Sequence, residues 1–595
     1  MRLPAIINKA YHLFKRGIGQ LHLFYLSSSI YPVLSSKGNK KPVTIFFIPE
    51  AGVIPHATLT AFLARTVQEL GHSVILVRCF ALFKRCPVFG MKKVGTGIND
   101  EIIENICYNQ CYKFSDSLAE FYNLDYIILN QFITHKEISK LDNILDNAPL
   151  DLRLFEFEGI YFGLLTMKEM VLETKISDFN NIKIEERLLW LNLIQTSIVG
   201  YLVAGKLFKK YNVSSISCFN LYASSIGMSE AAKVVGIPLY VICNGFHRNA
   251  DFRRIWIAPE VSMYTNTDPV IAWPEWKELP LNGKIFNEII MDLSGHFNAH
   301  GAVRYSPPKT GFMNNSFLNE IKNKYKKIVV AYSSSTDETL ATKYLLDAKS
   351  VKDERDNISF AFYSQIHWLQ ETINYFSKHK DYCFIVRVHP RVGKNRVNKE
   401  ISHHYFELRN AFASLPDNCF FIWPEEEISS FDLADLADLA LISWSSIGLD
   451  LARMGIPVIS YTNEIPTFPD DNSVIYIAKN EIDYFSEIEK YLNEKQVNYT
   501  KTMERVRYAF RWYHLQRLAV CVDFSDVIPE NDFKAFPIFS LSNSAGIAES
   551  VICRNENMLK LQLIRYKNTI NGETYRQESA DLRIHLDNLN YLKRF

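Results

Sequence analysis

At 595 residues the chain is too long to fold around one hydrophobic core, and its 48 % apolar and 22 % charged residues are those of an ordinary folded protein. Its 66 Lys and Arg nearly cancel 65 Asp and Glu, and no long basic block breaks the balance, which argues against a nucleic-acid groove. Ten cysteines spread over such a length describe no disulfide scaffold.

Residues 1–42 mix basic and apolar side chains, with Gln20, His22 and the serines at 27–29 interrupting the apolar run. The segment has neither the clean apolar core and cleavage site of a signal peptide nor the length of a membrane span. It reads as amphipathic, packed on the protein body or resting peripherally on an anionic membrane surface.

From Val43, "VTIFFIPEAGVIPHATLTAFLARTVQELGHSVILVRC" reads as strand, loop, helix and strand. Leu59, Phe62, Leu63, Val67 and Leu70 fall at helical spacing, and Gly71 stands where a helix commonly ends. Strands recur at "LDYIILN", "VSSISCFN" and "IPLYVICNG", the pattern of a parallel sheet covered by helices, and a Rossmann-like domain is expected over 43–300. The apolar stretch "LLWLNLIQTSIVGYLVAG" from Leu188 carries Asn192, Gln195, Thr196 and Gly200 at intervals of one to four residues, giving it a polar face, and is expected to be a core helix rather than a span. Cys79, Cys86, Cys107 and Cys111 crowd into the same half; four thiolates suit tetrahedral zinc, but the spacers of six and three residues are not the usual short ones, and unrelated buried thiols are the plainer expectation.

Residues 301–326 lack a sustained period and are expected to link the domains. A second α/β series then runs over 327–480: strands at "KKIVVAY", "YCFIVRV", "CFFIWP", "LALIS" and "PVISY", with helices between them. The remaining 481–595 reads as a helical extension. The expected fold class is therefore α/β, with two Rossmann-like doubly wound domains. Ligands in such sheets sit at the C-terminal ends of the strands, so the loops there are where chemistry is sought.

Three loops of the second series end in groups suited to an anionic, hydroxyl-rich ligand. "YSSSTDE" offers Ser333, Ser334 and Ser335 before Asp337 and Glu338. "RVHPR" places Arg387 and His389 on one side of a strand that Pro390 terminates, with Arg391 beyond. "SWSSIGLDLARMG" sets Ser445 and Ser446 at a helix start, where backbone N–H groups add to the hydroxyls; one serine could simply cap the helix, leaving the other unexplained. Asp450 follows one turn in, as a hydroxyl acceptor or a solvated carboxylate.

These motifs resemble the capsule polysaccharide biosynthesis group of glycosyltransferases, related to the bacterial Kdo transferases. The His-Pro and paired-serine elements are also similar to those of bacterial sialyltransferases and of polyol-phosphate polymerases of the teichoic acid type. The resemblance covers 326–480 firmly, 43–260 loosely, and the tails not at all. It implies a GT-B architecture of two facing Rossmann-like domains with the donor nucleotide on the C-terminal one. It further implies that His389, Ser445 and Ser446 contact donor phosphate and that Asp450 stands where many GT-B enzymes have a ribose-binding glutamate.

The expected activity is transfer of a sugar from a CMP- or UDP-sugar donor to a growing surface glycan in the cytoplasm, with no cofactor. The alternatives are a CDP-polyol phosphotransferase on the same scaffold and a non-catalytic scaffold. Catalytic groups are expected from the first domain: Glu50 and His56 in "PEAGVIPHA", where Gly52 would permit close backbone approach, and His247 with Arg248 and Asp251 in "CNGFHRNADF". No D-x-D triplet occurs, so the expected design is metal-independent, and no G-x-G-x-x-G opens a helix, which argues against a dehydrogenase.

Overall fold

The computed structural model describes residues 41–95, 99–177, 179, 182–245, 252–260, 267–300, 305–349, 359–395, 400–465, 467–494, 498–528 and 542–589. The expected amphipathic segment 1–42 lies outside them but for its last two residues. The chain divides into two compact units. The first comprises Met1–Thr166, Arg187–Ile242 and Asp532–Arg554; the second comprises Met167–Glu186, Cys243–Asn531 and Asn555–Phe595.

The first unit is built on β1 (Val43–Phe47), β2 (Ser73–Arg78), β3 (Tyr126–Ile128), β4 (Val213–Phe219) and β5 (Leu239–Asn244). They pair in the order β5-β4-β1-β2-β3, all parallel. All five residues of β1 are buried, as befits the central strand of a sheet covered on both faces. The helix Ile54–Glu69 follows β1 and buries Leu59, Phe62, Leu63 and Val67; Gly71, at φ +96°, takes the left-handed turn that releases the chain into β2.

The helix Ile184–Lys210 is long and apolar enough to cross a membrane, yet 67 % of its most apolar window is buried inside the protein, as expected of a core helix. Close helix crossing explains Gly227 in the helix Ala223–Val235. A Cβ there would lie 1.8 Å from the Ser197 carbonyl oxygen. The helix Asn543–Arg554 returns to this unit late in the chain, where Thr44 Oγ1 meets Cys553 Sγ at 3.7 Å and His72 Nε2 meets Glu549 Oε1 at 2.7 Å.

The second unit includes β6 (Arg254–Pro259) and a sheet of β7 (Lys327–Tyr332), β8 (Tyr382–Arg387), β9 (Cys419–Ile422), β10 (Leu439–Ile442), β11 (Val458–Ser460) and β12 (Tyr476–Ile477). The sheet runs β12-β11-β10-β7-β8-β9, all parallel. Strand β6 pairs antiparallel with β13 (Cys521–Asp523), inside the stretch read as a largely helical extension. Val329, Phe384, Val386, Leu441 and Ile459 pack against Trp368, Phe376 and Tyr484, each fully buried side chain of this size contributing about 1.5–3 kcal/mol. The Trp368 indole N–H donates to the Tyr484 hydroxyl at 2.7 Å, which satisfies two polar atoms the core would otherwise strand.

Two expectations differ from the structure. Residues 243–300, read with the first series, group with the second unit. The stretch read as a linker is built into that unit as well: it holds the helix Ser316–Lys324, and the buried Asp432 carboxylate accepts the Thr310 and Gly311 backbone N–H groups at 3.0 and 2.7 Å. Two backbone donors and the Thr310 hydroxyl on one carboxylate fix that segment without any sequence period to announce it.

Candidate functional site

In a doubly wound sheet the loops part where the strand order reverses, leaving a crevice at the C-terminal edge. In the second unit the reversal falls between β7 and β10, and a pocket of about 130 Å³ opens there. Ser333 comes to it from the end of β7, Arg387, His389 and Pro390 from the end of β8, and Ser445, Ser446 and Asp450 from the segment after β10. The three loops singled out in the sequence therefore meet in one place.

His389 is held on both sides. Its backbone N–H donates to Ser333 Oγ at 2.8 Å, and its ring Nδ1 accepts the Arg391 backbone N–H at 3.2 Å. A ring that accepts at Nδ1 carries its proton on Nε2 when neutral. Burial, reinforced by the Arg391 charge, pushes this imidazole down to about 4, so at neutral pH it is an uncharged Nε2–H donor.

Arg387 is only 1 % exposed. Its Nη1 donates to the backbone carbonyls of Trp423 at 2.7 Å and Ile422 at 3.3 Å, while Nε and Nη2 are buried with no hydrogen-bond partner among the described residues. Burial pulls it down to about 10, still a full cation at neutral pH. A buried guanidinium with open donors in a pocket wall is an arrangement that an anion completes.

Ser446 is the N-cap of the helix Ile447–Arg453, but its hydroxyl makes no capping bond, and Ser445 is buried beside it. Capping therefore does not account for the pair. The helix has only seven residues, so the hydroxyls rather than a long dipole are what the pocket offers here.

Four expected residues have other duties. Ser334 is buried but does not line the pocket, and its backbone N–H donates to Gln365 Oε1 at 2.6 Å. Ser335 turns its hydroxyl to the Asp337 carboxylate. Arg391 bonds Asp337 and, at 3.1 Å, Ser335 Oγ, and it too lies outside the pocket lining. Glu338 and Asp337 outweigh its burial and raise its already high pKa. Once the chain turns into the helix Thr336–Ala348, a local ion pair captures this arginine. Asp450 does line the pocket, but its carboxylate is engaged by His296 Nδ1 at 2.7 Å and by Arg453 at 2.5 Å, so it is neither solvated nor free to bind ribose alone.

His296 was not singled out in the sequence. It lines the pocket from the helix Gly283–Phe297, with Tyr305, Ser306, Ser430 and Phe431 completing the wall. An aspartate and a histidine four residues apart on an amphipathic helix, Asp292 and His296, were the available signal; their Nε2–Oδ2 distance is 3.2 Å.

The expected catalytic residues Glu50 and His56 belong to the first unit. Glu50 is 3 % exposed. His56 stacks on Phe219 with ring centroids 3.8 Å apart, and burial pushes its pKa down to about 3, which makes the imidazole a very weak base rather than the general base expected. Gly52 has a packing reason instead of a ligand-binding one, since a Cβ there would lie 2.8 Å from both Cys111 Sγ and a Val88 methyl. His247, Arg248 and Asp251 lie outside the described residues.

The zinc expectation fails on the same packing. No group of three or more His, Cys, Asp or Glu among the described residues could hold a metal ion, and Cys79, Cys86, Cys107 and Cys111 are free thiols. Burial, then neighbouring thiols, pushes Cys107 and Cys111 up to about 12 and Cys79 well above its ordinary value, so these are protonated thiols at neutral pH.

No family model matches the chain, and no curated protein does. Solved structures similar to it include Thermosulfurimonas dismutans KpsC, a beta Kdo 2,4 transferase, at 13 % identity over 51 % of this chain and 79 % of that one, with a TM-score of 0.29. UDP-GlcNAc 2-epimerase from Neisseria meningitidis bound to UDP-GlcNAc matches at 9 % identity over 79 % and 96 %, with a TM-score of 0.24. Acinetobacter baumannii MurG matches at 10 % over 79 % and 94 %, also at 0.24.

Proposed function

We propose that the chain is a glycosyltransferase of GT-B type that takes a nucleotide-sugar, a CMP- or UDP-sugar, in the pocket of its second unit and extends a cell-surface polysaccharide in the cytoplasm without a metal ion. The observation that carries this reading is Arg387: a buried cation with two open donors, at the switch point of a Rossmann-ordered sheet, beside an imidazole donor and three serines. Pyrophosphate or phosphate attached to a nucleoside matches that set in charge and in hydrogen-bond demand. The resemblance of "RVHPR" and "SWSSIGLDLARMG" to the capsule polysaccharide group supplies the sugar and the polymer.

In the reaction the bond from the anomeric carbon to the phosphate oxygen breaks and the electron pair leaves with the nucleotide. The acceptor hydroxyl oxygen bonds to the same carbon and gives up its proton to a base. Arg387 and the His389 Nε2–H hold the charge that develops on the leaving phosphate, in a buried setting where such contacts count for more than in water. Both are fixed before any ligand arrives, through Trp423 and Ile422 in one case and Ser333 and Arg391 in the other.

Calorimetric titration with CMP, UDP and CDP tests the donor site, and product analysis with a panel of nucleotide-sugars tests the reaction. His389→Ala should weaken nucleotide affinity roughly 10- to 150-fold, the value of one hydrogen bond to a charged partner, with the fold intact. A blank against all three nucleotides refutes the reading. Phosphate incorporated into the product would instead make the enzyme a polyol phosphotransferase.

A further inference from the structure

The pocket carries a second charged element that the donor reading does not use. His296 stands between two carboxylates, Nδ1 2.7 Å from Asp450 Oδ2 and Nε2 3.2 Å from Asp292 Oδ2, and the Asp292 side chain is 1 % exposed. Arg453, on the same helix as Asp450 and fully buried, reaches both acids, at 2.5 Å and 3.4 Å. Tyr513 packs its ring 4.2 Å from the Arg453 guanidinium and hydrogen-bonds Asp292, and Arg517 adds a cation whose field reaches Asp292 and Asp450. On the pocket side the neighbouring titratable groups are Tyr305, Tyr332, Arg387 and His389.

With both ring nitrogens facing carboxylates, a neutral imidazole could donate to only one of them, and the other would confront a lone pair. Only the imidazolium satisfies both acids. Burial works against that charge, but Asp450 and Asp292 outweigh it, and the net displacement of His296 is upward from 6.5. The cluster then holds three cations against two carboxylates. Without the proton it holds two against two, so the net positive charge beside the pocket is lost and one carboxylate oxygen faces the imidazole lone pair.

We propose that His296 is a positioning residue whose proton keeps Asp450 drawn back into this cluster, so that the pocket accepts a phosphate or sulfate group only while His296 is an imidazolium. This rests on the pocket being the anion site of the proposed function. The sign follows from the states: affinity is full below the His296 pKa and falls as pH rises through it, by about tenfold per unit, with one proton taken up per anion bound in that window.

Sulfate is the probe of choice, because its own charge is constant over the range, with CMP as the second ligand. Affinity is measured by calorimetry from pH 6 to 9 in buffers of different ionisation enthalpy, on wild type, His296→Gln and Asp292→Asn. Wild type should lose affinity for both ligands with rising pH and take up a proton on binding. His296→Gln should bind at least about tenfold more weakly at pH 6 and lose the pH dependence, and Asp292→Asn should keep it with the midpoint moved to lower pH. If His296→Gln does not fold, the Asp292→Asn midpoint decides; an unmoved midpoint overturns the inference. Binding that is equally pH-dependent in His296→Gln overturns the role of His296 alone. No binding of either ligand at pH 6 overturns the anion site together with it.

Discussion

Replacing Arg387 with methionine should move stability and binding in opposite directions. Burial holds the guanidinium down to about 10 from 12.5, a displacement equivalent to about 3 kcal/mol of disfavoured charge that the ligand-free protein carries. Methionine fills much of the same volume and removes that term. Against it, the carbonyls of Ile422 and Trp423 each lose one of two donors, keeping the Val388 and Glu426 backbone N–H groups at 3.0 and 3.1 Å, at a cost of about 1–3 kcal/mol for the two lost bonds together. The ligand-free variant should therefore lie within about 2 kcal/mol of wild type and on the stable side of it, as when buried ionic groups elsewhere are exchanged for apolar ones. Anion binding should fall by about 10- to 150-fold, because charge-assisted bonds from Nε and Nη2 are gone. Urea melts with and without saturating sulfate read both quantities, and the wild type alone should gain stability from the ligand. A variant that loses several kcal/mol and binds as tightly as wild type would show that Arg387 is a structural cation whose donors the fold satisfies, and would remove the main support for an anion site.

Acid should begin to destabilise the fold as pH falls below about 6.5, where solvated carboxylates are still charged. His389 and His585 are pushed down to about 4 and His56 to about 3, all by burial, so the unfolded chain binds protons that the folded one refuses. Their contribution is complete above 6.5 and is lost as pH falls from there toward 4, on the order of 3 kcal/mol for His389 alone; stability unchanged between pH 7 and 4.5 in urea melts would contradict this. Gly448→Ala should cost about 1–3 kcal/mol, because its Cβ would lie 2.6 Å from Ile442 Cδ1 and 3.0 Å from Phe468 Cζ, contacts that side-chain shifts can partly relieve. The same variant should weaken sulfate binding by displacing the Ser445–Ser446 turn, and a melt with a parallel titration checks both.

The strands could be read because parallel strands buried on both faces are continuous apolar runs, and β1, β4, β7, β8 and β10 all fall where "VTIFF", "VSSISCF", "KIVVAY", "YCFIVR" and "LALI" stand. Short β12 and β13 left no such run. Within the site, His389 and the paired serines were legible because proline and a helix start fix where those side chains emerge. Arg391, Ser335 and Asp450 were misjudged because pattern gives position and not partner: Asp337 captures two of them and the His296–Arg453 pair captures the third. Tyr305 and Ser306 were invisible for another reason. They lie on an aperiodic stretch anchored to Asp432, Asp435 and Ser430, all more than a hundred residues away in sequence, and no local rule reports such anchors.

The helix Asn543–Arg554 bears on how the chain is made. It closes one face of a sheet whose first strand leaves the ribosome long before it, since Thr44 and its contact Cys553 are 509 residues apart in sequence. At ordinary translation rates of about 5–20 residues per second, β1 waits roughly 25–100 s for that cover. Throughout that interval the nascent first unit exposes an apolar surface its own chain cannot yet shield, and the second unit, though synthesised later, receives most of its residues before the first is whole. Expression yield should accordingly respond to chaperone supply and to elongation speed more than the finished protein's stability would suggest.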